Sequence, residues 1–355
     1  MKKIVSFAVI AVHLALLFLL TGCQSSVMSE NKRAVSGHQY AIYQDTVYYL
    51  DFDERTIKYQ SINNIQETGL PLCQDVLSAD RAEHPLANLS SARILVDEDA
   101  TRKNGEAPVL IIAYRTSANS FDIVTFNTKT NRIKTLKEDI TYIQTLHLYG
   151  GYIIYACDEG DQGYNVYSMK KDGSDHCVLE NPEQRGYRVR NIYDDLIYVT
   201  DGVGNLYAAT LDLKSLTYLF ENCDNAVFFS DDYVYYAEYG SRALCRRPRA
   251  DLSQKEVLFE YQVRGIARSS SEYLHIKTNE NGQLDYNSFY IFDAETGMDT
   301  LVFENTDPNR SVNYADFNEK YILFAVRTPK ADGSGSESAY LVYDREEQKE
   351  IYIPE

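Results

Sequence analysis

Tryptophan is missing from all 355 residues, and methionine occurs only four times. Aromatic content rests instead on 30 tyrosines and 14 phenylalanines. Without the larger indole ring, a sugar-stacking platform is the weaker of the binding surfaces open to this chain. Tyrosine at this density suits half-buried strands, its ring packed and its hydroxyl reaching water or a neighbour. Missing motifs narrow the chemistry further. No Gly-x-Ser-x-Gly elbow occurs, so the strained serine-nucleophile turn is excluded. Gly333-Ser334-Gly335-Ser336 lies between two strand-like runs and reads as a flexible loop. The six histidines, His13, His38, His84, His147, His176 and His275, show no HExxH or other short ligand spacing. No two cysteines form a CxxC. The sequence therefore assigns no metal, no cofactor and no catalytic residue. No helical periodicity follows residue 23.

Positive charge is also scarce, with 35 Lys and Arg against 52 Asp and Glu and a net charge of −17. So acidic a chain repels phosphate backbones, which argues against nucleic acid as a partner. Only one long apolar run exists, residues 4–20, and it follows Lys2 and Lys3. A basic n-region, an apolar h-region and small residues make a secretory signal. Its close, Leu20-Thr21-Gly22-Cys23, resembles the bacterial lipobox. That resemblance implies cleavage before Cys23 and lipidation of its sulfur, usually with N-acylation (palmitate and similar chains). A transmembrane anchor is the alternative, because 17 residues sit at the lower edge of a span. The Gly22-Cys23 ending and the polar Gln24-Ser25-Ser26 that follows favour processing. Each buried acyl methylene contributes about 0.8 kcal/mol, and two or more chains anchor stably. The expected organisation is a signal peptide at 1–22, a lipidated polar tether at 23–37 and a folded domain at 38–355. The expected location is the cell membrane, lipid-anchored and outside the cytoplasm. Loss of Lys2 and Lys3 takes the net charge from −17 to −19.

Five cysteines remain after Cys23: Cys73, Cys157, Cys177, Cys223 and Cys245. An odd number argues against a disulfide framework; Cys157 and Cys177 could pair, but small buried hydrophobes are the expected role. The dominant signal is a repeat. A short apolar strand, a tight polar turn and a tyrosine-rich strand recur, followed by a hairpin and a fourth strand. The turns near Gly150, Asp194, Asp231, Ser271 and Glu319 are 44, 37, 40 and 48 residues apart. Asp-Gly and Thr-Gly pairs mark the later hairpins, where glycine supplies positive φ. Two weaker units come first, the second interrupted by a charged insertion at 97–107. Four short strands per 40 to 50 residues is the period of a propeller blade. The expected fold is all-β, a β-propeller of seven four-stranded blades, give or take one.

Ile197-Tyr198-Val199-Thr200-Asp201, followed by Asn205-Leu206-Tyr207 and Leu211-Asp212, resembles the blade signature of the YWTD propellers of low-density lipoprotein receptors, with Val in place of Trp. Residues 164–175 resemble the same hairpin, and the pattern is also similar to TolB-like and bacterial surface propellers. The resemblance implies the fold and a habit of binding, and it carries over no catalytic residue. Receptor propellers of this type have six blades, one fewer than the repeat indicates here.

Candidate sites follow from the repeat. First strands of blades line a propeller's channel, and here they carry Arg93, His147, Arg190, Arg264 and Asn313. Together they would make an electropositive channel mouth for an anionic or hydroxylated ligand. Alternatively they pair with acids such as Asp316. Oxygen-rich loops at Asp97, Glu98 and Asp99 and at Asp158, Glu159 and Asp161 lack the order of a calcium loop and read as solvated turns. Arg242, Arg246, Arg247 and Arg249 crowd one blade, yet alternation puts Arg246 and Arg247 on opposite faces. The favoured function is a non-enzymatic binding or scaffold module for a protein, peptide or glycan. A hydrolase or lyase acting at the axis and an envelope assembly factor are the alternatives.

Overall fold

A computed structural model describes residues 35–36, 38–51, 54–64, 69–73, 84–117, 120–158, 160, 163–179, 186–267, 271–330 and 334–354. The signal segment and Cys23 lie outside the described residues. The chain is a seven-bladed β-propeller. Each blade is an antiparallel sheet whose strand order follows the chain. The inner strands are Tyr40–Tyr43 in blade 1, Ala92–Val96 in blade 2, Ile143–Tyr149 in blade 3 and Arg188–Tyr193 in blade 4. Cys223–Phe229, Val263–Ala267 and Ser311–Phe317 are those of blades 5, 6 and 7.

Period-two alternation explains how the blades stack. Neighbouring blades cover both faces of a sheet, so the middles of the second strands are mostly apolar on both faces rather than at alternate positions. In Tyr152–Asp158 of blade 3, Ile153, Tyr155 and Cys157 pack toward blade 2, while Ile154 and Ala156 pack toward blade 4. The same division produces seven apolar clusters among the described residues, one at each blade-to-blade contact. Tyr49, Tyr155, Tyr235, Tyr236, Tyr273 and Tyr321 are among the largest fully buried side chains, so tyrosine does the filling that tryptophan does not. The five cysteines after residue 23 are free thiols; four are buried and Cys177 is half-buried.

Polar clamps supplement the apolar clusters. A basic residue at the end of a third strand reaches the acid at the inner hairpin of the preceding blade. Lys171 meets Asp97 at 2.8 Å, Arg249 meets Asp194 at 2.9 Å and Arg345 meets Glu272 at 2.7 Å. These join blades 2 to 3, 4 to 5 and 6 to 7. Among the described residues, blade 7 meets blade 1 without a shared strand. There Tyr40, Val47 and Tyr49 interlock with Tyr321, Leu323, Tyr340 and Val342. The Tyr321 hydroxyl donates to Asp45, which also pairs with Lys320 at 3.2 Å.

Two details depart from the sequence reading. The charged insertion contains a short helix, Glu98–Lys103, where no helix was expected. Its cause is local: Asp97 caps the first turn by accepting from the Ala100 amide, Glu98 and Asp99 sit at the positive end, and Arg102 and Lys103 at the negative end. Val35–Ser36, expected in the tether, forms a strand on the free inner edge of blade 3, Val35 opposite Leu148 and Ser36 opposite His147. Gly265, in the inner strand of blade 6, has no room for a side chain, since a Cβ there would lie 2.0 Å from the Leu274 carbonyl oxygen.

Ring closure by side chains alone carries a measurable consequence. Leu323→Ala, at the contact of blades 7 and 1, is expected to cost about 2–5 kcal/mol. Tyr218→Ala, on an exposed outer strand, is expected to stay within about 0.5 kcal/mol of the parent. Urea unfolding of the two variants checks this, and equal midpoints would show that the closing contact contributes little.

Candidate functional site

Arg93, Arg190 and Arg264 each lie three residues before the end of their inner strands, on blades 2, 4 and 6. They therefore recur at every second blade, at nearly one level along the axis. The fold uses them differently. The Arg93 Nε–H donates to the Ile143 carbonyl at 3.2 Å, tying blade 2 to the first residue of blade 3. Burial pulls its guanidinium pKa down, with Tyr142 and Tyr40 acting the other way. Arg190 sits at a bulge, because the ladder steps from Val189 opposite Val199 to Asn191 opposite Tyr198. A bulge re-aims its residue, and here the Arg190 Nε–H donates to the Thr200 hydroxyl at 2.6 Å. Burial lowers its pKa as well, against the fields of Cys223 and Asp224 from blade 5. Arg264 is exposed and donates to the Tyr286 hydroxyl at 3.2 Å.

His147 is buried on blade 3, and its backbone pairs with Ser36 of the N-terminal strand. Asn313 is exposed on blade 7. Asp316 accepts from the adjacent Phe317 amide at 2.6 Å. Arg93 thus ties two blades together, Arg190 braces its own blade, and Arg264 and Asn313 face solvent. Sequence reasoning passed over Asn191, whose side-chain amide crosses from blade 4 to the Val227 carbonyl of blade 5 at 2.8 Å. Nothing in its spacing marks that role.

The end of the ring where the inner strands begin also gathers exposed aromatics. Tyr142 immediately precedes Ile143 and is 47% exposed. Tyr239 and Tyr286, in the loops after the second strands of blades 5 and 6, are 53% and 42% exposed. Val203 projects from the equivalent loop of blade 4, which Asp201 braces through the Val203 and Asn205 amides. Arg188, first in its inner strand, lies over the Tyr164 ring at 5.7 Å. The crowded arginines of blade 5 part as alternation requires. Arg246 pairs with Glu256 at 2.7 Å, and Arg247 donates to the Tyr236 hydroxyl and the Leu252 carbonyl on the other side.

A second cluster lies away from the axis, between blades 5 and 6. His275 is fully buried, its ring stacked on Tyr273 at 5.1 Å. Its Nε2 lies 2.9 Å from Asp299, and since a carboxylate only accepts, Nε2 carries the proton. Lys277 reaches the other Asp299 oxygen at 2.6 Å and lies 3.5 Å from the centre of the Tyr290 ring. Burial opposes charge on Asp299, but the His275 and Lys277 hydrogen bonds outweigh it and hold the carboxyl below its ordinary value. With both oxygens engaged and the imidazole sealed, the cluster is a polar lock. Among the described residues no group of three His, Cys, Asp or Glu is arranged to hold a metal ion.

No protein family matches the chain, and no curated protein matches it either. Solved structures do. Oligopeptidase B from Leishmania major matches over 91% of this chain and 48% of its own, at a TM-score of 0.53 and 7% identity. A post-proline cleaving enzyme from Rickettsia typhi gives a TM-score of 0.40 at 11% identity, over 89% of this chain and 58% of its own. The uncharacterized protein lmo1340 from Listeria monocytogenes EGD-e gives 0.44 at 11%, over 70% of this chain and 79% of its own. The chain spans about half the length of the oligopeptidase. At 7% identity that likeness concerns the propeller fold alone.

Asp299 generates a pH-dependent expectation. A carboxyl whose folded pKa is depressed contributes stability above its unfolded value, near 3.8, and loses it as pH falls through the folded value. Asp299→Asn is therefore expected to cost about 1.5–3 kcal/mol at neutral pH. The gap to the parent should narrow below pH 3.8. Unfolding curves at neutral and acid pH check both statements; a gap independent of pH would remove the charge from the explanation.

Proposed function

We propose that this chain is a non-enzymatic binding module, lipid-anchored through Cys23 outside the cytoplasm, that receives a protein or peptide partner at the end of the propeller where the inner strands begin. One observation carries the reading: Tyr142, Tyr239 and Tyr286 stand exposed at that end, with Arg264 bonded to the Tyr286 hydroxyl. Tyrosine and arginine are the side chains that dominate protein-binding hot spots, because each presents a large surface with a polar tip. A glycan partner fits less well, since the chain has no tryptophan to serve as a sugar platform. A stable complex with other envelope proteins would make the module an assembly factor.

Metabolic labelling with an alkynyl fatty acid is expected to mark the protein and to fail in Cys23→Ala; an unlabelled parent would retire the lipid part. Crosslinking on native membranes, read by mass spectrometry, tests the surface. Truncating an interface side chain that matters costs roughly 1 kcal/mol or more, so the triple variant Tyr142→Ala/Tyr286→Ala/Arg264→Ala should lose at least about tenfold in partner recovery, with its unfolding midpoint unchanged. Recovery at the parent's level would move the site elsewhere, and turnover of a peptide or glycoside substrate would replace binding with hydrolysis.

A further inference from the structure

The N-terminal strand determines at which end of the propeller the chain enters. Every inner strand runs from the end where Tyr142 and Tyr286 stand to the end where the inner hairpins turn, at Asp194-Asp195 in blade 4 and Asp231-Asp232 in blade 5. Val35–Ser36 runs antiparallel to Ile143–Tyr149. Val35 opposes Leu148, one residue from the hairpin end, and Ser36 opposes His147. His38 then bridges Ile94, midway along the inner strand of blade 2, and Tyr40 opens the inner strand of blade 1. The chain thus enters at the hairpin end, descends the channel along blades 3 and 2, and turns into blade 1 at the far end.

We infer that this N-terminal arm is a threaded pin that gives the propeller a polarity on the membrane. The hairpin end faces the bilayer, and the end bearing Tyr142, Tyr239, Tyr286 and Arg264 faces outward. The membrane half of this statement rests on the lipid reading of Cys23; the thread does not. From Cys23 to Val35 there are 12 residue steps, a contour of at most about 43 Å. The tether's point of attachment to the propeller, Val35, lies at the hairpin end.

Charge acts against this orientation, so the tether has to hold it. The hairpin end exposes Asp194, Asp195, Asp231, Asp232 and Glu319, with Arg249 pairing Asp194 and Lys320 beside Glu319. Anionic head groups repel such a face within a Debye length of about 8 Å, so it stands off on its tether rather than lying flat. The arm pairs with the inner edges of blades 3 and 2.

Two measurements test the inference, the first without lipid. In Cys23→Ser protein, the pairs Val35→Cys/Leu148→Cys and Ser36→Cys/His147→Cys are oxidised with diamide and mapped by mass spectrometry. Opposed residues of an antiparallel pair lie about 4.5 or 5.5 Å apart at Cα, and both separations are within disulfide reach. At least one pair is expected to close, and a control pair, Ser36→Cys/Ile266→Cys on blade 6, is not. Failure of both pairs overturns the thread.

The second measurement uses the acylated protein in phosphatidylcholine vesicles carrying a head-group dye. Donors are placed at Asp231→Cys and, separately, Val203→Cys, in a Cys177→Ser background. Strands of five to seven residues hold the two ends about 20 Å apart. Energy transfer is therefore expected to be strong from Asp231→Cys and to fall at Val203→Cys. Equal or reversed transfer overturns the polarity. Closure of the disulfide without any vesicle association would sink the membrane half together with the lipid reading and leave the thread standing.

Discussion

Interlocking of side chains between neighbouring sheets is the constraint on which this protein depends. Six of the seven contacts join blades that follow one another in the chain. The seventh joins the first blade to the last, with no strand in common among the described residues. Tyr49 and Tyr340, with ring centres 5.9 Å apart, and Leu323 beside Val47 must hold there what chain continuity assists elsewhere. A fully buried leucine or aromatic contributes about 1.5–3 kcal/mol, so a handful of such residues can close the ring. The Asp45 contacts with Tyr321 and Lys320 add direction more than energy, because Lys320 is largely exposed and surface ion pairs are worth little.

That demand explains where the polar residues went. Arg93 and Asn191 donate to carbonyls of the next blade's inner strand, doing near the axis what the apolar clusters do farther out. The alternate-blade clamps of Lys171, Arg249 and Arg345 do the same at the hairpin end. A half-buried guanidinium is tolerated where its Nε–H meets an oxygen of the wall, as in Arg93 and Arg190. Three tyrosines that the packing leaves exposed, Tyr142, Tyr239 and Tyr286, stand at the opposite end.

Much of this was legible in the residues. Blade period, hairpin turns and the opposition of Arg246 and Arg247 follow from alternation and from turn chemistry, which are local. The helix at Glu98–Lys103 was missed because one and a half turns are too short to show a period, although Asp97 is a cap in plain view. His275 and Asp299 were invisible as a pair, being 24 residues apart on the second and fourth strands of one sheet. The three arginines were found by counting strands, yet their separate fates turn on a bulge at Arg190 and on which neighbour each can reach.

By itself, then, the chain determined its fold class, its blade count and the residues that alternate inward, because those rest on periods of two and on turns of a few residues. Tertiary structure decided which polar groups became mortar and which stayed exposed, and it laid Val35 and Ser36 along blade 3. Those outcomes depend on distances between strands far apart in sequence, which only closure of the ring brings within reach.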